Sequence, residues 1–257
     1  MATGKETEFR GNDQKGRGVL KRLFLWSPSV DTVIAFLSVI LITSLVYLSL
    51  TIIRQDWASA IIYGWIGQLG VCIIFPLYWT IVVRKRKLDA LGITKKLWLI
   101  SLVVGIAMAG FMWMGYMNQY GIGSDTLPGL LLGVVGLWEI FFCFGWLQLR
   151  FEEAFGIIPA IVLASLGYSI YHLGYPGIPV SEIVGFFVFG LFFAIIFRST
   201  KNLLVLLPAW PICCLFGFKT VDISVTWPHA VTASITLPFM LLSIFIFYRI
   251  QLRRKSR

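Results

Sequence analysis

Long runs of apolar residues constrain the fold of this chain more than any other sequence feature. A helix needs about 20 apolar residues to cross the hydrocarbon core of a bilayer, whereas transmembrane barrels use alternating strands of about ten residues. Seven or eight runs meet the helical requirement, and alternating segments of the barrel type are absent from the sequence. We therefore predict an all-α, polytopic membrane bundle of about eight helices, because a helix satisfies its own backbone hydrogen bonds in lipid. The predicted spans are residues 32–53, 59–83, 97–117, 127–149, 157–175, 181–197, 202–217 and 228–248.

Composition supports a membrane protein with short polar ends. Apolar residues make up 58% of the chain and charged residues 13%, whereas a soluble domain carries about 25% charged residues. No small-residue cleavage site follows a short apolar core near the start, so no removable signal peptide is predicted. We divide the chain into a basic cytoplasmic tail (1–26), one transmembrane domain (27–250) and a basic C-terminal tail (251–257). All four cysteines fall inside predicted spans, which favours free thiols over disulfides.

The distribution of Lys and Arg predicts the orientation. Loops rich in these residues stay on the cytoplasmic side of a membrane. The two tails and the second, fourth and sixth loops hold 20 of the 22 Lys and Arg residues, and the other side holds only Arg54 and Lys219. This asymmetry predicts an even number of spans with both termini cytoplasmic, in a multi-pass protein of the cytoplasmic membrane if the organism is prokaryotic. The net charge of +10 follows from these loops and requires no nucleic-acid partner.

Two ionisable side chains other than cysteines, Glu139 and His172, lie deep inside predicted spans. Such groups cost at least a few kcal/mol in a bilayer and mark a candidate functional site. Cys143 follows Glu139 by four residues on one helix face, and Tyr168 precedes His172 by the same spacing. Antiparallel spans joined by a short loop would bring Glu139 and His172 to a similar depth. We expect each to be the other's partner. A chemical role for this pair and a purely structural hydrogen bond between the two helices are equally weighted interpretations.

Three short motifs surround these residues: Trp-Glu-x-x-x-Cys, Gly-Trp-Leu-Gln-Leu-Arg-Phe-Glu-Glu-Ala-Phe-Gly, and Tyr-x-x-x-His. Over residues 127–217 they resemble the CAAX protease and bacteriocin-processing family of multi-helix intramembrane endopeptidases. That family carries Glu-Glu-x-x-x-Arg, Phe-x-x-x-His and His-x-x-x-Asn, each on its own helix. The resemblance implies a site at Glu139 and His172.

Most other motif residues of that family are replaced in this chain. Trp138 stands at the first glutamate, Cys143 at the arginine, Tyr168 at the phenylalanine, Trp210 at the third-motif histidine and Cys214 at the asparagine. In the family the glutamate and the second-motif histidine are thought to activate water, while the third motif stabilises the oxyanion. Loss of such groups removes orders of magnitude in rate.

Two further features offer replacements for the missing groups. The Glu152-Glu153 pair lies beside Arg150, and we interpret it as a solvated turn in the short loop after the fourth span. His229 begins the last span and is expected at the outer interface, with a place in the cavity as the alternative.

The sequence therefore favours a non-canonical or inactive family member, a pseudoenzyme that binds a membrane peptide or a partner protein within the lipid bilayer. The rival is an active intramembrane peptidase that uses Glu139 and His172 on a membrane-embedded or lipidated peptide, so enzymatic activity is left open. A lower-ranked alternative is a metal- or cofactor-binding subunit. No cofactor is predicted, but Glu139, Cys143, His172 and Cys214 are suitable ligand types for zinc or copper.

Overall fold

The computed structural model describes residues 22–221 and 225–255, and within this part seven helices are long and apolar enough to cross a membrane. We number the helices in chain order, including a shorter one, α7. They are α1 Val30–Ile53, α2 Asp56–Val83, α3 Trp98–Tyr120, α4 Thr126–Phe155, α5 Ile157–Gly174, α6 Val180–Thr200, α7 Trp210–Thr220 and α8 Trp227–Arg254. The seven long helices confirm seven predicted spans, with ends that agree to within six residues.

Helix α4 is the centre of the bundle. Of its apolar stretch 72% is buried, compared with 11% for α3. Its middle section, Ile140–Gln148, is wound as a π-helix and begins directly after Glu139. Wide turns of this kind are frequent at functional sites. All four cysteines are free, as predicted.

The predicted span 202–217 is not a continuous helix. The chain forms a 3-10 turn over Leu203–Val205, then non-helical turns, and only then α7. Pro208 and Pro211 lack the N–H that a helical hydrogen bond requires, which opposes a regular helix here. This segment therefore departs from the predicted span 202–217, while the seven long helices agree with the prediction of a bundle of about eight.

The interrupted segment nevertheless covers the same depth as α4. At one end, Lys201 Nζ lies 2.9 Å from Glu152 Oε1 in the last turns of α4. At the other end, Lys219 Nζ lies 2.6 Å from Asp125 Oδ2, directly before α4 begins. The segment thus runs antiparallel to α4, and α7 packs along the first half of that helix. If this segment is counted, the chain crosses the bundle eight times.

The two ends of the described chain meet at one end of the bundle, which we call the basic face. Arg84 at the end of α2 binds Asp31 at the start of α1, with 2.6 Å between Nε and Oδ1. Arg254 at the end of α8 donates to the carbonyl of Ile81, also near the end of α2. The start of α1 and the end of α8 therefore share a face, as an even number of crossings requires. The assignment of this face to the cytoplasm stays a prediction.

The predicted tails are described only in part. Residues 1–21 lie outside the described residues. Leu25 N–H donates to the Phe155 carbonyl at 2.8 Å, and Trp26 packs on the Phe155 ring with 5.2 Å between centroids. At the other end, residues 251–255 continue α8 as helix, although we predicted them as tail.

Candidate functional site

Helices α4 and α5 hold Glu139 and His172 at the same depth. The helices are joined at Gly156, whose φ of +85° favours glycine. The ring of Trp138, next to Glu139, packs edge-on against Tyr171, next to His172, with 5.4 Å between centroids. The spacing argument therefore placed both residues in one neighbourhood.

The carboxyl and the imidazole do not bind each other. Across the described chain, no hydrogen bond and no ion pair within 4.0 Å joins Glu139 to His172. His172 Nδ1 lies 2.8 Å from the Tyr168 carbonyl, so Nδ1 carries the proton and donates it. The imidazole stacks on Phe186 at 3.9 Å and lies 4.0 Å from the Tyr171 ring. The predicted direct pairing is absent.

Glu139 is surrounded by hydroxyl and thiol groups instead of a cation. The Tyr171 hydroxyl lies beside the carboxyl, but it is buried and makes no hydrogen bond of regular geometry with any described residue. Tyr63 and Tyr175 lie within electrostatic range of Glu139, and their hydroxyls bind each other at 2.5 Å. All four cysteines lie within the same range. Glu139 and His172 are thus linked through shared neighbours, Tyr171 and Tyr175.

Large aromatic side chains fill the surroundings of both residues. Trp210, at the position of the third-motif histidine, is fully buried and packs against Phe144, Tyr168 and Phe193 at 5.0 to 5.9 Å between centroids. Its Nε1 has no hydrogen-bond partner in the part of the chain that the structure describes. We call these residues the aromatic cluster: Tyr63, Trp138, Phe144, Tyr168, Tyr171, Tyr175, Phe186, Phe193 and Trp210.

A glycine on α4 brings two further candidates close to Glu139. A Cβ at Gly136 would lie 3.1 Å from Cys214 Sγ and 3.4 Å from Trp210 Nε1. Only a residue without a side chain permits this approach of α7. Cys143 is fully buried one turn after Glu139. The structure therefore gathers Trp138, Cys143, Tyr168, Trp210 and Cys214 around the predicted site.

His229 does not join this group. It is exposed at the start of α8, and its Nδ1 lies 3.0 Å from the Thr226 hydroxyl. It makes no contact with Glu139 or His172 in the described structure, so its place is the helix end.

The Glu152-Glu153 pair is not a solvated turn, because α4 continues beyond its predicted end and contains both residues. Glu152 forms ion pairs with Lys201 at 2.9 Å and Arg198 at 3.1 Å. Arg86 Nη1 lies 2.8 Å from both carboxylate oxygens of Glu153. Glu152 and Glu153 therefore form ion pairs with residues outside α4 and are not merely hydrated.

Sequence reasoning missed two buried charged residues, Asp31 and Arg150, whose side chains are 8% and 1% exposed. Arg150 Nη2 donates to the Ala90 carbonyl at 2.9 Å and lies 3.2 Å from Glu153 Oε1. Trp79 Nε1 donates to Asp31 at 2.8 Å. In the sequence, the indication was limited to two facts: Asp31 and Arg150 carry opposite charges, and they lie at the ends of predicted spans on the same side of the membrane.

The described residues offer no arrangement that would hold a metal. No three His, Cys, Asp or Glu side chains among them are grouped as ligands. Glu139, Cys143, His172 and Cys214 are all described, so the zinc or copper alternative gains no support from their geometry.

Two cavities of about 280 Å³ each lie near α4. The apolar cavity lies between α2, α4, the interrupted segment and α8, and its lining includes Ile73, Leu137, Trp138, Phe141, Met240 and Leu241. The polar cavity lies at the basic face and is lined by Asp89, Ala90, Arg150, Glu152, Glu153 and Lys201. Neither Glu139 nor His172 lines either of them.

A comparison with known protein families gives a match to part of this chain. Residues 126–209 match the family described as type II CAAX prenyl endopeptidase Rce1-like. This segment is Rce1-like. The match confirms the resemblance predicted from the motifs, and together with the seven long apolar helices it identifies an integral membrane protein with a CAAX-protease-like core. No curated protein and no solved structure matches the chain.

The Rce1-like segment covers about a third of the chain. It begins with the first residue of α4, includes Glu139 and His172, and ends one residue before Trp210. Glu139 and His172, the two positions that keep the residue of the family motif, thus lie inside the match, while Trp210, at the position of the third-motif histidine, lies just beyond its end.

Proposed function

We propose that this protein is a non-peptidase, Rce1-like membrane protein that holds a membrane peptide or a partner protein. The observation that supports this proposal is the packing of His172. A general base must reach the proton it removes, directly or through one water. The His172 ring is stacked against Phe186 and Tyr171, and its Nδ1 donates to the Tyr168 carbonyl, so Nε2 is the nitrogen that would have to accept a proton, and no described acid lies within ion-pair distance of this ring. Glu139 does not pair with it.

The third-motif position supports the same conclusion. Trp210 fills this position with a fully buried indole, which can donate a hydrogen bond but cannot accept a proton. A site that lacks both a paired base and a third-motif histidine loses most of the groups that accelerate peptide hydrolysis.

The apolar cavity offers a place for a bound segment. Ligand sites are mostly apolar hollows with a few polar groups at fixed positions. Trp138 of the aromatic cluster lines this cavity, and so does Asn202, which is held by hydrogen bonds to the carbonyls of Thr94 and Lys96 at 3.0 and 2.9 Å. An apolar side chain or a short acyl group of a membrane peptide fits a hollow of about 280 Å³.

A second function, a divergent peptidase, is favoured by one observation. The Tyr171 hydroxyl and Trp210 Nε1 are both buried donors without partners, and both lie close to the α4 turn that carries Glu139. Two such donors beside an acid could polarise a carbonyl that enters between them.

Reconstitution in liposomes with a panel of lipidated and unlipidated transmembrane peptides tests both functions. We expect saturable binding without cleavage, and the same binding in Glu139→Gln. Leu241→Trp should fill the mouth of the apolar cavity and weaken binding about tenfold, which corresponds to about 1.4 kcal/mol.

Leu242→Trp is the matched control, because Leu241 and Leu242 are 58% and 51% exposed but only Leu241 lines the cavity. Equal binding by these two variants would contradict the cavity assignment. Peptide cleavage that disappears in Glu139→Gln would replace the proposal with the peptidase function.

A further inference from the structure

The segment that precedes α1 crosses the end of α4, and we call residues 23–27 the strap. Leu25 N–H donates to the Phe155 carbonyl at 2.8 Å. Ser27 N–H donates to the Ala154 carbonyl at 2.7 Å. The last four carbonyls of a helix have no partner within that helix. The strap therefore supplies two of the donors that the end of α4 lacks.

The contact between the strap and the turn after α4 is close. A Cβ at Gly156 would lie 2.7 Å from the Leu23 carbonyl oxygen and 2.9 Å from Phe24 Cα. The strap can follow this path because glycine has no side chain. The Trp26 ring packs on the Phe155 ring. The strap is thus fixed on α4 by its backbone and by one aromatic contact.

The strap leaves three large apolar side chains uncovered at the basic face. Phe24, Leu25 and Trp26 are 54%, 44% and 81% exposed. They directly precede the apolar length of α1, so they lie where the hydrocarbon of a bilayer meets the headgroups. Tryptophan is enriched at this depth, because its ring has an apolar body and a polar N–H. Their position therefore indicates the bilayer interface as the surface that covers them.

The sequence next to the strap is strongly basic. Residues 15–22 contain Lys15, Arg17, Lys21 and Arg22 and no acid. Arg22, which belongs to the described part of the chain, is exposed and forms no ion pair with any other described residue. Exposed aromatic residues beside a group of cations are complementary to an anionic membrane surface.

We propose that the strap is an anchor for an anionic phospholipid surface. Phe24, Leu25 and Trp26 lie in the bilayer interface, and the adjacent cations contact the headgroups. The lipid surface thereby keeps the strap on α4, the helix that carries Glu139. The strap shares no residue with the aromatic cluster or the apolar cavity. The proposal is therefore independent of whether the protein binds or cleaves a peptide.

Hydrogen exchange of the full-length protein in liposomes tests this proposal. The Leu25 and Ser27 amides donate to α4, so their exchange rates report whether the strap is in place. Both amides should exchange about tenfold more slowly in phosphatidylcholine liposomes that contain phosphatidylglycerol than in phosphatidylcholine alone, because the cations attract the anionic lipid. The difference should shrink at high salt.

Phe24→Ser removes an exposed apolar side chain but no hydrogen bond to α4. In the anionic liposomes it should raise the exchange rates of both amides about tenfold, because less apolar surface enters the interface. Trp57→Ser is the matched control, since Trp57 is 55% exposed but lies at the start of α2, at the opposite face. It should leave both rates unchanged.

Equal exchange of the two amides in the two kinds of liposome would overturn the proposal. Equal exchange in Phe24→Ser and Trp57→Ser would do the same. A second copy of this chain is the other candidate to cover the strap. Protection that follows the protein-to-lipid ratio, and not the phosphatidylglycerol content, would assign the strap to that contact and reject the lipid anchor.

Discussion

Helix α4 carries two ionisable residues of opposite sign, a buried Arg150 and a partly buried Glu139, and their surroundings differ. Arg150 lies near the basic face among carboxylates from α1 and α4 and a loop carbonyl. Glu139 lies deeper, near aromatic rings, hydroxyls and thiols, and no described cation is bound to it. Near a membrane face, long side chains from several helices can meet and neutralise one another. In the middle of the bundle none of the residues that the structure describes is such a partner, so the neighbours of this acid are neutral groups.

The two regions should therefore respond differently when their charge is removed. Removal of one partner from a buried ion pair leaves the other charge buried and unpaired. Neutralisation of a residue whose neighbours are uncharged leaves no charged group without a partner.

The largest effect is expected for Arg150→Met. The variant removes a hydrogen bond to the Ala90 carbonyl and the ion pair with Glu153, while Asp31 keeps Arg84 and Glu153 keeps Arg86, so the free energy of unfolding should fall by about 1.5–3 kcal/mol. Denaturant titration in mixed micelles measures this change. Glu139→Gln is the control in the same helix, with an expected loss below about 1 kcal/mol. Equal losses of unfolding free energy in the two variants would contradict the expected difference between Arg150 and Glu139.

A smaller effect is expected inside the aromatic cluster. Tyr63→Phe removes the hydrogen bond between the Tyr63 and Tyr175 hydroxyls and should cost about 1 kcal/mol of unfolding free energy. Tyr175→Phe should cost a similar amount, and the double variant little more than either one, because the two substitutions remove the same bond. Fully additive losses would show that these hydroxyls stabilise the fold through other partners.

The smallest effect is expected at the partly exposed pair Asp125 and Lys219. The hydrogen bond from Lys219 lowers the pKa of Asp125, and the same bond raises the pKa of Lys219. The contribution of Asp125 is thus present above its unfolded pKa of about 3.9 and is lost as pH falls through its lower folded pKa. The contribution of Lys219 is present below its unfolded pKa of about 10.4 and is lost as pH rises through its higher folded pKa.

With side chains 20% and 28% exposed, this pair should contribute at most about 1 kcal/mol and less at high salt. Tm measured against pH for the wild type and Asp125→Asn tests this expectation. A loss as large as that of Arg150→Met would remove the distinction between buried and exposed charges.

The helical architecture could be predicted because span length and Lys/Arg placement depend on local composition. The same reasoning brought Glu139 and His172 to one depth, since α4 and α5 are consecutive and antiparallel. It could not predict how each helix is rotated about its axis, which packing with Phe186 and Trp210 decides. The prediction that Glu139 binds His172 directly was wrong for that reason.

The ionic network at the basic face was missed for a different reason. Asp31 and Arg150 lie at the edges of predicted spans, where a hydropathy pattern treats a charge as loop. Their burial depends on partners more than 50 residues away in sequence, such as Arg84 for Asp31. Pro208 and Pro211 indicated an interruption after Asn202. The prediction of a continuous span gave more weight to the apolar composition of this segment.

The interrupted segment also affects how the chain tolerates changes in its length. In a continuous helix, one inserted residue rotates everything after it by about 100°. Lys201 binds Glu152 of α4, Lys219 binds Asp125 directly before α4, and the turns 206–209 between them are non-helical. A change of length in these turns therefore does not impose the same rotation on α7, but it has to keep the fully buried Leu206 and Ala209 in place.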